Sequence, residues 1–68
     1  MYSIICIRDN SNGETVVFPI MGSDDDGEPL DIMAIWDTLE EAEDFNSNSM
    51  ICQSSRTFII DLDSGLTF

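Results

Sequence analysis

Thr38-Leu39-Glu40-Glu41-Ala42-Glu43-Asp44-Phe45 is the stretch on which the fold turns. Thr38 followed three residues later by Glu41 is a capping box: hydroxyl and carboxylate reciprocally satisfy backbone N–H groups that the first helical turn leaves without partners. Leu39, Ala42 and Phe45 then recur at helical spacing and are expected to face a core. Glu40, Glu41, Glu43 and Asp44 fall on the opposite face. The run Asn46-Ser47-Asn48-Ser49 reads as the stop, with Asn expected in the left-handed C-terminal cap. The stretch therefore predicts one capped helix with an apolar and an acidic side.

Outward from the helix the chain changes to strand character. Tyr2-Ser-Ile-Ile-Cys-Ile-Arg8 and Thr15-Val-Val-Phe-Pro-Ile-Met21 are β-branched and aromatic runs. Between them Asp9 to Glu14 supplies Asn and Gly for a turn, so the two form an antiparallel hairpin. Pro19 cannot donate to a ladder and assigns the second strand to an edge or a bulge. Gly22 to Pro29 reads as an exposed acidic loop, and Asp31-Ile-Met-Ala-Ile-Trp36 as a third strand. Trp36 is expected in the core, with an exposed anchor for a partner as the alternative. After a loop containing Met50, Ile51 and Cys52, Thr57-Phe-Ile-Ile-Asp-Leu62 is a further strand, with Phe58, Ile60 and Leu62 sharing a face. Asp63-Ser64-Gly65 turns the chain toward a short strand at Leu66-Thr67-Phe68. The order β-β-β-α-β predicts an α+β fold over residues 1–68, read as a single compact domain: a small antiparallel sheet of three to five strands with one helix packed on one face.

Composition narrows the function classes. The 68 residues hold 14 acids against Arg8 and Arg56 alone, with no lysine or histidine, a net charge of −12. At this length only about 60% of the unfolded surface is buried, so stability is modest. Without histidine the usual base for a Ser or Cys nucleophile is missing, and without lysine so is amine chemistry. The chain is not read as an enzyme, and no cofactor is expected. Direct nucleic-acid binding is disfavoured, because phosphate contacts need cations in number. Cys6 and Cys52 are too few and too far apart for a thiolate metal site and read as two buried thiols, with one disulfide as the alternative. The N-terminal run lacks a basic region before its apolar residues and no stretch reaches membrane-span length, so the expectation is a cytoplasmic protein, in the host cytoplasm if phage-encoded, without membrane contact.

The acids themselves are the remaining candidates for chemistry. Asp63-Ser64-Gly65 after an apolar strand resembles the active-site loop of aspartic proteases, but only three residues follow it, and Asp, Ser and Gly are good turn formers. Setting Gly27 as the sixth position of a calcium loop leaves only Asp24 and Asp26 in register and puts Met33 where the terminal Glu belongs. Asp24, Asp26 and Glu28 then remain as a loose divalent-cation alternative. Asp61 and Asp63 are expected on one face of the last strand, near Arg56 and Arg8. On the helix, Glu40 to Asp44 spans roughly 6 Å of axis. Its four carboxylates give about one charge per 1.5 Å, close to the ~1.7 Å of duplex DNA. The expected partner-binding residues are accordingly Glu40, Glu41, Glu43 and Asp44 with Asp24, Asp25, Asp26 and Glu28. The expected partner is the basic surface of a nucleic-acid-processing protein. Alternatives are a solvated surface serving solubility, or a small assembly module pairing through its sheet edge, including as a homodimer.

A hairpin, a helix start built on Thr38, Leu39, Glu41 and Ala42, and a closing strand at 57–62 together resemble small acidic bacteriophage host-takeover proteins, in particular the RNA polymerase inhibitors of T7-like phages. The resemblance implies an inhibitor that wedges into a basic groove of a host enzyme. It assigns no individual contact residue.

Overall fold

The expected hairpin forms in the computed structural model, which describes all 68 residues. Strand β1 (Tyr2–Asp9) pairs antiparallel with β2 (Thr15–Pro19), in a register that sets Cys6 against Phe18 and Asp9 against Thr15. The turn closes through the Asn10 N–H on the Glu14 carbonyl, 2.7 Å, and the Gly13 N–H on the Asn10 carbonyl, 3.0 Å. Gly13 sits there at φ +86, where a Cβ would be strained. Pro19 is the last residue of β2, which is an edge strand.

Beyond Pro19 the chain leaves the sheet. The Ile20 N–H bonds the Ile4 carbonyl at 3.0 Å, and the next residues form a two-stranded arm of β3 (Met21–Ser23) and β4 (Pro29–Met33). The chain returns where the Ala34 N–H meets the Ile20 carbonyl at 2.9 Å. There Trp36 and Tyr2 exchange two 2.8 Å backbone bonds, so Trp36 resumes the line of β2 along β1. This corrects the expected third strand at 31–36. Its first residues belong to the arm, and Met21, read as part of the second strand, is the arm's other side.

Helix α1 (Leu39–Asn48) starts at the Thr38 cap, whose hydroxyl oxygen accepts the Glu41 N–H at 3.2 Å, whereas the expected return bond from the Thr38 N–H to the Glu41 carboxylate does not form. It stops at Ser49, which is extended at φ −81. No Asn is left-handed, because no residue other than glycine has positive φ. Residues expected in a loop form a one-turn helix α2 (Met50–Gln53). Strand β5 (Arg56–Asp61) pairs antiparallel with β1 on the side away from β2, giving a sheet of order β2-β1-β5. The tail folds back along β5: Ile59 and Phe68 exchange backbone bonds of 3.3 and 2.8 Å, and the Asp61 N–H reaches the Leu66 carbonyl at 2.8 Å. The α+β architecture holds, in the order β-β-β-β-α-α-β.

The core lies between the sheet and the helices. Ile4, Cys6 and Ile59 point from the sheet toward Ala42 of α1 and Cys52 of α2, with Ile20 closing one side. Tyr2, Phe18, Ala34, Trp36 and Leu39 pack around them partly buried. The Thr57 hydroxyl donates to the Asn46 Oδ1 at 2.8 Å and ties α1 to β5. Because strand residues alternate faces, burial of Ile59 turns Phe58 and Ile60 to the far side of the sheet, while Leu62 is exposed beyond the strand end. Phe58 and Ile60 share a face as expected, and it is the face turned away from the helices. Phe45 departs from expectation: it is 37% exposed and leans on Trp36, ring centroids 5.0 Å apart, rather than filling the core.

No helix is long and apolar enough to cross a membrane.

Candidate functional site: the acidic helix face and the arm

On an α-helix, residues three and four apart are neighbours, so Asp44 lies beside both Glu40 and Glu41. Glu40, Glu41 and Asp44, with Thr38 below them, accordingly line one open polar cleft on α1. All three carboxylates are exposed, as is Glu43. No arginine pairs with any of them: Arg56 is held by both oxygens of Asp9 at 3.3 Å, and Arg8 lies over the Phe18 ring, 5.5 Å from its centroid. Both arginines of the chain are thus occupied along the sheet, and the helix face carries its charge uncompensated. Two of those acids, Glu40 and Glu41, sit in the first helical turn, where the positive end of the helix dipole favours them.

The second acidic group forms the tip of the arm. Asp24 organises it: one carboxylate oxygen accepts the N–H groups of Asp26 at 3.0 Å and Glu28 at 2.9 Å. Its own N–H meets the Glu28 carbonyl at 3.0 Å, and Gly27 completes the reversal at φ +82. Asp24 is therefore a turn-former first, while Asp25, Asp26 and Glu28 present exposed carboxylates. The cation alternative loses its geometry here, because the Asp24 oxygen faces backbone donors and no three carboxylates of the tip converge on a point that could hold a metal ion.

The two acidic groups do not merge into one stripe. Ser23 and Pro29, which flank the tip, share a depression of about 340 Å³ with Phe18, Phe45, Ser49 and Ile51. On the other side of the arm, a groove of about 430 Å³ is lined by Met21, Leu30, Ile32, Ile35, Trp36 and Phe45, among others, and by no charged side chain. Carboxylates follow or interrupt the lining segments in the chain: Asp24 after Ser23, Asp31 between Leu30 and Ile32, Asp37 after Trp36, Asp44 before Phe45. Acids thus adjoin the lining residues along the chain, while none of them lines the groove itself. Sequence reasoning missed this groove because it assigned Trp36 and Phe45 to the core and residues 31–36 to the sheet. Ile32 at 62% and Ile35 at 50% exposure are the residues that give the groove away.

Asp61 and Asp63 do not extend an acidic strand face. The Asp61 carboxylate accepts the Asp63 N–H at 2.9 Å, which holds its carboxyl below the usual range, and Asp63 pairs with the amino group of Met1 at 2.8 Å. Neither meets Arg8 or Arg56. The Cys6 thiol is pushed up by burial and by the adjacent Cys52 thiol; both cysteines are free and buried. A raised pKa keeps a thiol protonated and unreactive.

No protein-family model, no curated protein and no solved structure matches this chain.

Proposed function

We propose that the protein is an acidic binding protein of the inhibitor class, which occupies a basic surface of a nucleic-acid-processing protein such as an RNA polymerase or a nuclease. The observation that carries this reading is the set of Glu40, Glu41 and Asp44 on one open cleft, with Glu43 beside it and both arginines of the chain engaged elsewhere. A surface that only had to stay soluble gains nothing from keeping its cations apart from its densest acids. A net charge of −12 steers a basic partner over distances beyond contact. The apolar ground beside Phe45 and Trp36 supplies the desolvated contact that charge alone does not. The protein acts in the compartment of its partner, the cytoplasm.

The test is capture from bacterial lysate on the immobilised chain at about 50 and 500 mM sodium chloride. Charge-steered contacts are screened over roughly 10 Å at 0.1 M salt and much less at the higher concentration. The reading expects a nucleic-acid-handling protein retained at low salt and released at high salt. Capture of none, or capture indifferent to salt, counts against it.

A further inference from the structure

We propose that the face of the sheet turned away from the helices is a dimer interface, on which a second copy of this chain stacks sheet against sheet. This goes beyond the acidic-surface reading and uses none of its residues.

The face follows from the registers. Pro19, Ile5 and Phe58 form one row across β2, β1 and β5; Val17, Ile7 and Arg56 form the next. Ile60, opposite Ser3, continues the apolar surface toward the other end. All of these lie on the side opposite Ile4, Cys6 and Ile59, the side against which α1 and α2 pack. At one end the chain returning from the arm closes over this face: Ser3 is fully buried and its hydroxyl donates to the Ala34 carbonyl at 3.0 Å, so the open part is that of Ile5, Ile7, Val17 and Phe58. Burial records the difference. Ile4 and Cys6 are fully buried and Ile59 is 4% exposed, whereas Ile5, Ile7, Phe58 and Ile60 are only half-buried and Val17 is 62% exposed. A sheet with two apolar faces normally has a layer on each.

Charge decides what the second layer is. The face carries one carboxylate, Asp9, and Arg56 neutralises it through both oxygens. The remaining acids lie on turns, on the arm, on the segment leading into and through α1, or on the helix side of the sheet. A basic partner finds nothing to pair with here. A second copy finds an apolar surface like its own and brings no unpaired charge to it, and a two-fold axis makes such a surface self-complementary. The acids of the two copies are held apart by the sheets, which pack about 10 Å from each other, a distance comparable to the screening length at 0.1 M salt. Three strands about 4.8 Å apart make a narrow patch, so the interface falls at or below the ~1,200 Å² lower bound of stable complexes. The dimer is accordingly weak and depends on concentration, while both acidic helix faces remain free on its outside.

Sedimentation equilibrium from about 1 to 500 μM, at low and high sodium chloride, tests the inference. The expected result is a monomer–dimer equilibrium shifted toward dimer by salt, because salt screens the mutual repulsion and leaves apolar contact intact. That is the opposite salt response from capture of a basic partner, so the two readings fail separately. Val17→Lys, at an exposed position, should weaken the dimer at least tenfold without altering the far-ultraviolet circular dichroism of the dilute monomer. Arg56→Glu exposes unpaired charge on the face and should weaken it at low salt, with recovery at high salt. A monomer at every concentration, a dimer that salt dissociates, or a dimer unchanged by Val17→Lys would overturn the inference; the last outcome would move association to the free edge of β2.

Discussion

Truncating neighbouring isoleucines of β5 gives opposite outcomes if the sheet faces are as described. Ile59 is 4% exposed against Ile4, Ala42 and Cys52, whereas Ile60 lies on the uncovered side. Ile59→Ala removes buried methylene and methyl groups and leaves a cavity in a small core, a loss of about 3 kcal/mol within a usual range of about 2–5. Ile60→Ala removes groups that are already partly hydrated and should cost about 1 kcal/mol. For a domain of this size each kcal/mol moves Tm by about 4–8 °C. The expected drops are therefore roughly 12–24 °C and 4–8 °C. Total stability at 0.05–0.15 kcal/mol per residue is only about 3–10 kcal/mol, so Ile59→Val, at about 1 kcal/mol, provides a graded companion that stays folded. Urea unfolding followed through Trp36, the single tryptophan, and repeated by circular dichroism would supply the values. Concentrations of about 1 μM keep association from contributing, since any partner that binds the folded state stabilises it by mass action. Equal losses from Ile59→Ala and Ile60→Ala would refute the assignment of the two faces, and with it the helix-free surface.

The remaining predictions concern pH and the helix start. The amino group of Met1, held by Asp63, and the buried Cys6 thiol both have raised pKa values, from ordinary values of 8.0 and 9.0. Each binds its proton more tightly folded than unfolded, so the stability it contributes is complete below its unfolded value and is lost as pH rises through the folded one. The urea midpoint should fall between pH 7 and 10, first from the amine and then from the thiol, and Cys6→Ala should flatten the upper part of that slope; a midpoint level across the range contradicts the two assignments. Thr38→Ala removes the oxygen that accepts the Glu41 N–H and should cost about 1 kcal/mol, read as faster amide exchange in the first turn of α1. Unchanged exchange there would mean that the cap contributes nothing.

Much of the architecture was legible because local chemistry and tertiary packing agree. The β1–β2 hairpin follows from alternating β-branched residues around an Asn-Gly turn, the helix start from Thr38 and Glu41, and the returning tail from Asp63-Ser64-Gly65. Where a local pattern has two solutions the sequence leaves a choice open or misleads. Strand β5 is apolar on both faces, Phe58 and Ile60 on one and Ile59 on the other, so alternation grouped Phe58 with Ile60 but could not say which face meets the helix. The arm was missed because Met21 prolongs an apolar strand and Ile32 to Trp36 resembles another. What separates them is the chain's departure after Pro19, a tertiary event. The acidic helix face was readable from periodicity alone. Its separation from the arm tip by apolar ground was not, since that depends on where the arm folds back beside Phe45.

The measurement that addresses the functional claim most directly is partner capture at low salt by a variant in which Glu40, Glu41 and Glu43 become Gln and Asp44 becomes Asn. These side chains are exposed and make no hydrogen bond between side chains other than that of Asp44 with Asn48, at 3.3 Å, so the fold should survive, as circular dichroism and the urea midpoint would verify. Removing four like charges from a chain of net charge −12 should if anything stabilise it slightly. The account predicts that the folded variant no longer retains the salt-sensitive, nucleic-acid-handling partner that the parent chain retains. Undiminished capture by the folded variant would contradict it and remove the acidic helix face from any part in binding.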